Sequence, residues 1–193
     1  MLKRKIDKYL EEWKASADKK PLIVKGARQV GKTASIRYFG EKYYNNIVEI
    51  NFALQPKYKQ IFADGYEVDS IIKNITLLNP TLVFVPHETL LFFDELQEYP
   101  DCATSLKSFK QDGRYDVICS GSLMGLYYQQ IESNSVGYKT DYEMYSLDFE
   151  EFLWAKGYDE HFIDDLYQHM VDLKPLSNMQ MEVLGELFND YMI

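Results

Sequence analysis

Residues 22–39 read LIVKGARQVGKTASIRYF, and the fold turns on this stretch. Leu22-Ile23-Val24 is a short, wholly apolar run, the kind buried on both faces of a parallel sheet. Gly26-Ala27-Arg28-Gln29-Val30-Gly31-Lys32-Thr33 then matches G-x-x-x-x-G-K-[ST]. A helical pattern follows, from about Lys32 to Tyr43. Each part of the motif has a physical task. Glycine takes backbone angles closed to other residues, so the loop can wrap phosphates. Inward-pointing N–H groups and the positive end of the next helix attract the anion, which extends the binding set to Ala34. Lys32 reaches the β and γ phosphates, and the Thr33 hydroxyl is a ligand for Mg²⁺. The alternative is a turn with a coincidental lysine. With Gly near 7% of residues, a chance match is roughly a one-in-a-hundred event, and placement between a buried strand and a helix disfavours it further.

A loop of this kind needs a second metal-holding carboxylate. "TLLFFDE" (Thr89–Glu95) supplies Asp94 at a strand end, placed to hold Mg²⁺ through water. Glu95 follows, and an acidic residue there can polarise a water for attack on the γ-phosphate. The fragment therefore predicts hydrolysis rather than transfer to a bound acceptor. "YDVICSGS" (Tyr115–Ser122) is a fourth strand, ending in hydroxyls beyond the carboxyl ends of the strands, where open parallel sheets bind ligands. Ser122 is the first candidate to touch the γ-phosphate or the attacking water, and Ser120 the second. No N-K-x-D guanine signature is present, so ATP is favoured over GTP.

The other elements complete an alternating pattern. Residues 3–14 repeat Ile6, Tyr9, Leu10 and Trp13 at helix spacing. "IVEINF" (Ile47–Phe52) is a strand, and residues 53–68 read as loop. Asp69 is positioned to cap a helix through about Leu78, and Pro100 to open one to about Gln111 that Asp112-Gly113 ends. "YEMYSL" (Tyr142–Leu147) is a fifth strand. Strands alternating with helices give an α/β fold.

The 193 residues are 46% hydrophobic and 26% charged, enough for one substantial domain and a small appendage. Residues 1–157 are expected to form the core, with 1–20 an amino-terminal helix and linker, and 158–193 a helical lid or linker. Residues 1–40 carry net +7 and the remainder −16, giving the overall −9. That balance argues against a dedicated nucleic-acid binder. "QPKYKQIF" and the run from Tyr127 to Tyr142 interleave lysines with aromatics, but acidic residues dilute both and ordinary surface is the simpler reading. No apolar run approaches the roughly 20 residues that span a bilayer, and MLKRKIDKYLEEW lacks the apolar core of a signal peptide. Cys102 and Cys119 are isolated, which fits a reducing, cytoplasmic setting; Cys119 reads as core. Three scattered histidines give no zinc spacing.

GARQVGKT, TLLFFDELQ, ICSGS and EMYSLDFEEFLWA, in this order, resemble the bacterial and archaeal AAA+ ATPases with an AAA_14-type core, often followed by a DUF4143 domain. The resemblance covers roughly residues 4–193. It implies a five-stranded parallel sheet of order 5-1-4-3-2 with helices on both faces, and the strands of the phosphate loop and of Asp94 side by side. It also implies ATP and Mg²⁺, with Lys32, Thr33, Asp94 and Glu95 in the roles argued above. Relatives often carry Gly-Arg where this chain has Gly137-Tyr138, so no arginine finger is implied there. Pro-Leu-Ser-Phe is replaced by Ser146-Leu147-Asp148-Phe149, where Asp148 can still cap a helix with Glu151 in a capping box. Arginine is scarce: Arg4, Arg28, Arg37 and Arg114. None is assigned as a finger, and Arg114 is expected at the far end of the sheet.

The sequence thus predicts an Mg-dependent ATPase module. A nucleotide-gated switch with little turnover is the alternative. A small-molecule kinase would need an acceptor pocket and an arginine-rich lid, for which the sequence offers nothing. Expected partners are ATP, a further carboxy-terminal domain, and a protein partner or other copies of this chain. Ser177 and Gln180 read as a capping box opening a last helix, with Leu184, Leu187, Phe188 and Tyr191 as its apolar stripe. That stripe runs to Ile193 without a stop signal, so the chain is expected to continue.

Overall fold

Period-two alternation explains the sheet. In β1 (Leu22–Lys25), β3 (Thr89–Asp94) and β4 (Asp116–Gly121), successive side chains face opposite ways and almost all are apolar. Leu22, Val24, Leu90, Phe92 and Ile118 enter one core; Ile23, Leu91, Phe93, Val117 and Cys119 enter the other. A sheet apolar on both faces must be covered on both. Helices α1 (Lys5–Ala15) and α2 (Lys32–Tyr43) supply Ile6, Leu10, Trp13, Ile36 and Phe39 to the first core. Helices α3 (Val68–Leu78) and α4 (Ser105–Asp112) supply Val68, Ile71, Ile75, Leu106 and Phe109 to the second.

The computed structural model describes residues 2–122, 130, 131 and 134–192. Its contacts define two units, Ile6–Ser146 and the pair of segments Met1–Lys5 and Leu147–Ile193. The first holds the sheet. All pairings are parallel, and β2 (Asn46–Asn51) and β5 (Thr140–Glu143) form its edges in the order β2-β3-β4-β1-β5. This is the expected order read from the other edge. One expectation attached to it fails: the strands of the phosphate loop and of Asp94 are not neighbours. β4 lies between them, in register Ile23 with Cys119 and Phe93 with Cys119. The carboxyl ends of β1, β4 and β3 therefore lie side by side, as the strand order itself requires.

Other differences have local causes. The segment 53–68 contains a 3₁₀ helix, Pro56–Phe62, because Tyr58, Ile61 and Phe62 are buried in the second core. Asp69 is not the cap of α3; that position is Glu67, and Asp69 instead accepts from Arg114 at 2.6 Å. The helix at Pro100 starts as a 3₁₀ segment to Thr104 before α4. β5 begins earlier than expected and is short, since its partner β1 is only four residues long. Thr140 N donates to Pro21 O at one end and Met144 N to Lys25 O at the other.

In the second unit, α5 (Phe149–Ala155), α6 (Glu160–Val171) and α7 (Asn178–Met192) are each opened by side chains. Asp148 and Glu151 form the reciprocal capping box, Asp159 caps α6, and Ser177 and Gln180 exchange bonds at the start of α7. Glu151 is 4% exposed and also accepts from Lys5 N at 2.7 Å and faces Arg4 Nε at 3.0 Å. Burial works against the Lys5 ammonium, but hydrogen bonds and charge from Asp148 and Glu150 outweigh it and raise its pKa. By contacts α5 goes with these helices, and the two units meet in the chain at Ser146/Leu147. In α7, Leu184, Leu187 and Tyr191 are half-buried, while Phe188 is exposed. Among the described residues no helix is long and apolar enough to cross a membrane.

Candidate functional site

The loop between β1 and α2 is built on unusual backbone. Gly26 has φ +152°, and a Cβ there would sit 2.1 Å from Met144 O. The backbone of Met144, just past the edge strand β5, approaches so closely that only glycine fits. Gly31, at φ +102°, is the N-cap of α2 and offers no side-chain cap. Gln29, a non-glycine, is also left-handed at φ +66°. The first N–H groups of α2 thus lack both intrahelical and side-chain partners, as an anion site requires. Substituting Gly26→Ala forces the Met144 backbone away and strains the loop. We expect a loss of about 3 kcal/mol and, for a chain this size, a Tm lower by about 6–12 °C. Calorimetry of the two proteins checks this, and an unchanged Tm refutes the close-approach argument.

Lys32 is 8% exposed. Its Nζ donates to Gly26 O at 2.9 Å and Ala27 O at 2.6 Å, so the ammonium is folded back on its own loop. Burial lowers its pKa, opposed by the negative charges of Glu95 and Asp94. Ala27, Arg28 and Gln29 are exposed and Val30 is half-buried.

Asp94, at the end of β3, is 3% exposed and lies at the centre of a polar cluster. Thr33 Oγ1, from the first turn of α2, is 3.2 Å from its Oδ2. Asn51 Nδ2, from the end of β2, donates to the same oxygen at 2.9 Å. Ser120 Oγ, from the end of β4, donates to Oδ1. These donors give both oxygens of the buried Asp94 side chain hydrogen-bond partners. Ser120 is fully buried with its hydroxyl turned to Asp94, which leaves Ser122 as the serine nearer the open end of the strand. Ser122 N donates to Gln97 Oε1 at 3.0 Å.

Glu95 sits just beyond β3 in left-handed backbone, φ +57°. Such a conformation costs a non-glycine residue about 1–2 kcal/mol. Leu96, wholly buried, anchors the short 3₁₀ turn Leu96–Glu98 that holds it there. Gln97 Nε2 donates to Glu95 Oε2.

Thus Lys32, Thr33, Asp94 and Glu95 come together, with Ser122 at the next strand end. Two participants were missed in the sequence, Asn51 and Gln97. The signal for Asn51 was available, a polar side chain closing an apolar strand; nothing in the pattern marked Gln97. The donor set suits a hydrated magnesium ion, which binds through one or two protein oxygens plus phosphates. Among the described residues no cluster of three or more His, Cys, Asp or Glu offers an all-protein metal cage, and Thr33 with Asp94 would hold the ion. Arginine is mostly committed elsewhere. Arg37 makes a bidentate pair with Glu49 at 2.6 Å, and Arg4 faces Glu151. Arg114 pairs with Asp69 and Asp112 before β4, at the opposite end of the sheet from the loop. Of the lysine–aromatic run, Tyr127, Tyr128, Gln129, Glu132 and Ser133 lie outside the described residues, as does Ile193.

A parallel sheet of this order, with a glycine loop feeding a helix and an acidic strand end two strands away, is a P-loop nucleotide-binding domain of the AAA+ ATPase kind. A family model described as an AAA domain, AAA_14, matches residues 18–153, and the chain belongs to that family. No curated protein matches the chain. Solved structures similar to it include PCH-2 of C. elegans, with TM-score 0.49 and 12% identity over 81% of this chain and 48% of that one. Another is a RuvB variant of Thermotoga maritima, with TM-score 0.48 and 15% identity over 80% of this chain and 50% of that one. The chain spans about half the length of either structure.

Proposed function

We propose that the unit Ile6–Ser146 binds ATP with Mg²⁺ and hydrolyses its terminal phosphoanhydride bond. The observation that carries this reading is the convergence, at the carboxyl end of one sheet, of Lys32, Thr33, Asp94 and Glu95. Lys32 exchanges the Gly26 and Ala27 carbonyls for phosphate oxygens, a move within reach of its flexible stem. The open N–H groups of α2 bind the phosphates alongside it. Thr33 and Asp94 hold the metal, whose charge offsets that developing on the phosphates. Glu95 orients a water and accepts its proton as the water oxygen bonds to the γ-phosphorus and the β–γ bridge breaks. Ser122 is placed to touch the γ-phosphate or the water.

A second reading has its own support. Arg4, Arg37 and Arg114 are held by carboxylates, and exposed Arg28 lies in the loop itself. Arginines tied to carboxylates suit a nucleotide-gated switch that binds ATP and turns over little, since an arginine turned to the γ-phosphate contributes about 10³-fold or more. Phosphate release measured beside ATP affinity separates the two. We expect saturable, Mg-dependent release that EDTA abolishes. Tight binding without release supports the switch, and no binding of Mg-ATP refutes both.

A further inference from the structure

We propose that Gln97 is a positioning residue that straps Glu95 to the end of β4, so that the proton acceptor and Ser122 take up their places together. This rests on the hydrolytic reading above. The Gln97 amide is the link between the two strand ends: its Oε1 accepts from Ser122 N, and its Nε2 donates to Glu95 Oε2. The assignment of its oxygen and nitrogen follows from chemistry. A backbone N–H only donates, so the amide oxygen must face Ser122, and the remaining NH₂ must face the carboxylate. A flipped amide would set donor against donor and acceptor against acceptor.

The geometry around the strap is rigid. Leu96 is wholly buried in the second core, while Glu98 N bonds Glu95 O at 2.9 Å and Tyr99 N bonds Leu96 O at 3.1 Å. The backbone of Glu95 is therefore fixed in its strained, left-handed form. Its side chain is only half-buried, and its torsions are not fixed by the backbone. The Gln97 amide removes that freedom. It occupies one carboxylate oxygen and leaves the other for a water. It also ties that orientation to the backbone where Ser122 leaves β4, so a shift of either strand end moves both groups. Asp94 has its own, separate set of donors in Thr33, Asn51 and Ser120. The strap thus acts on the proton acceptor and not on the metal-holding carboxylate.

Two variants test it. Gln97→Met keeps side-chain length and removes both hydrogen bonds. We expect kcat for ATP to fall about 10- to 100-fold, the scale of a misplaced reacting group, with the ATP dissociation constant within about threefold. The Ser122 amide should exchange its hydrogen about tenfold faster, as loss of one hydrogen bond implies. Gln97→Glu can still accept from Ser122 N but turns a second carboxylate toward Glu95, so Ser122 protection should return while turnover stays low. Recovery of turnover in Gln97→Glu overturns the strap, as does unchanged turnover in Gln97→Met beside a parent that Glu95→Gln inactivates. Weakened ATP binding in Gln97→Met with kcat unaltered also overturns it. If the parent itself does not turn over, the hydrolytic reading fails. The strap is then judged on Ser122 exchange alone, and unchanged exchange in Gln97→Met overturns it.

Discussion

Lys32→Ala is expected to weaken ATP binding by about 100-fold or more, because it deletes a charge-assisted partner of the phosphates. It should do so without unfolding the protein. The Lys32 ammonium is desolvated, which disfavours its charged form, and its bonds in the absence of nucleotide are to two carbonyls of its own loop. Removing it relieves a burial cost while losing those bonds, so the two effects nearly cancel. Titration of the variant with Mg-ATP, beside its Tm without ligand, checks both parts. Parent-like affinity with intact folding would show that the loop does not hold phosphate through this side chain.

Glu95→Gln should leave affinity within a few-fold and lower kcat by about 100- to 10,000-fold, the range lost with a general base. The amide is nearly isosteric and keeps an oxygen for Gln97, but it cannot accept a proton. Because the side chain is half-buried beyond the strand rather than packed in the core, stability should move by less than about 1 kcal/mol. Single-turnover measurement with enzyme in excess isolates the chemical step. A variant that hydrolyses at the parent rate would remove Glu95 from the proton transfer and favour the nucleotide-gated switch.

The sequence by itself determined the parallel sheet. Runs such as TLLFFD are apolar at every position, so both faces must be covered, and the helical stretches between them can cover both only by right-handed crossovers. It also marked the glycine loop and the carboxylate at the end of β3, because their chemistry depends on neighbours one to eight residues away. Strand adjacency was not local. That β4 separates β1 from β3 follows from which cores the side chains of all three strands fill together, and no single run records it. The same cause hid Asn51 and Gln97. Each is an ordinary polar residue in its own segment and acquires a role only when strand ends distant in sequence are brought within hydrogen-bond reach. Ser120 and Ser122 show the boundary between the two kinds of information. Their spacing put both on one face of a strand end, but tertiary packing buried Ser120 against Asp94 and left Ser122 beside Gln97, because a buried carboxylate must be satisfied by whichever hydroxyl the neighbouring strand offers.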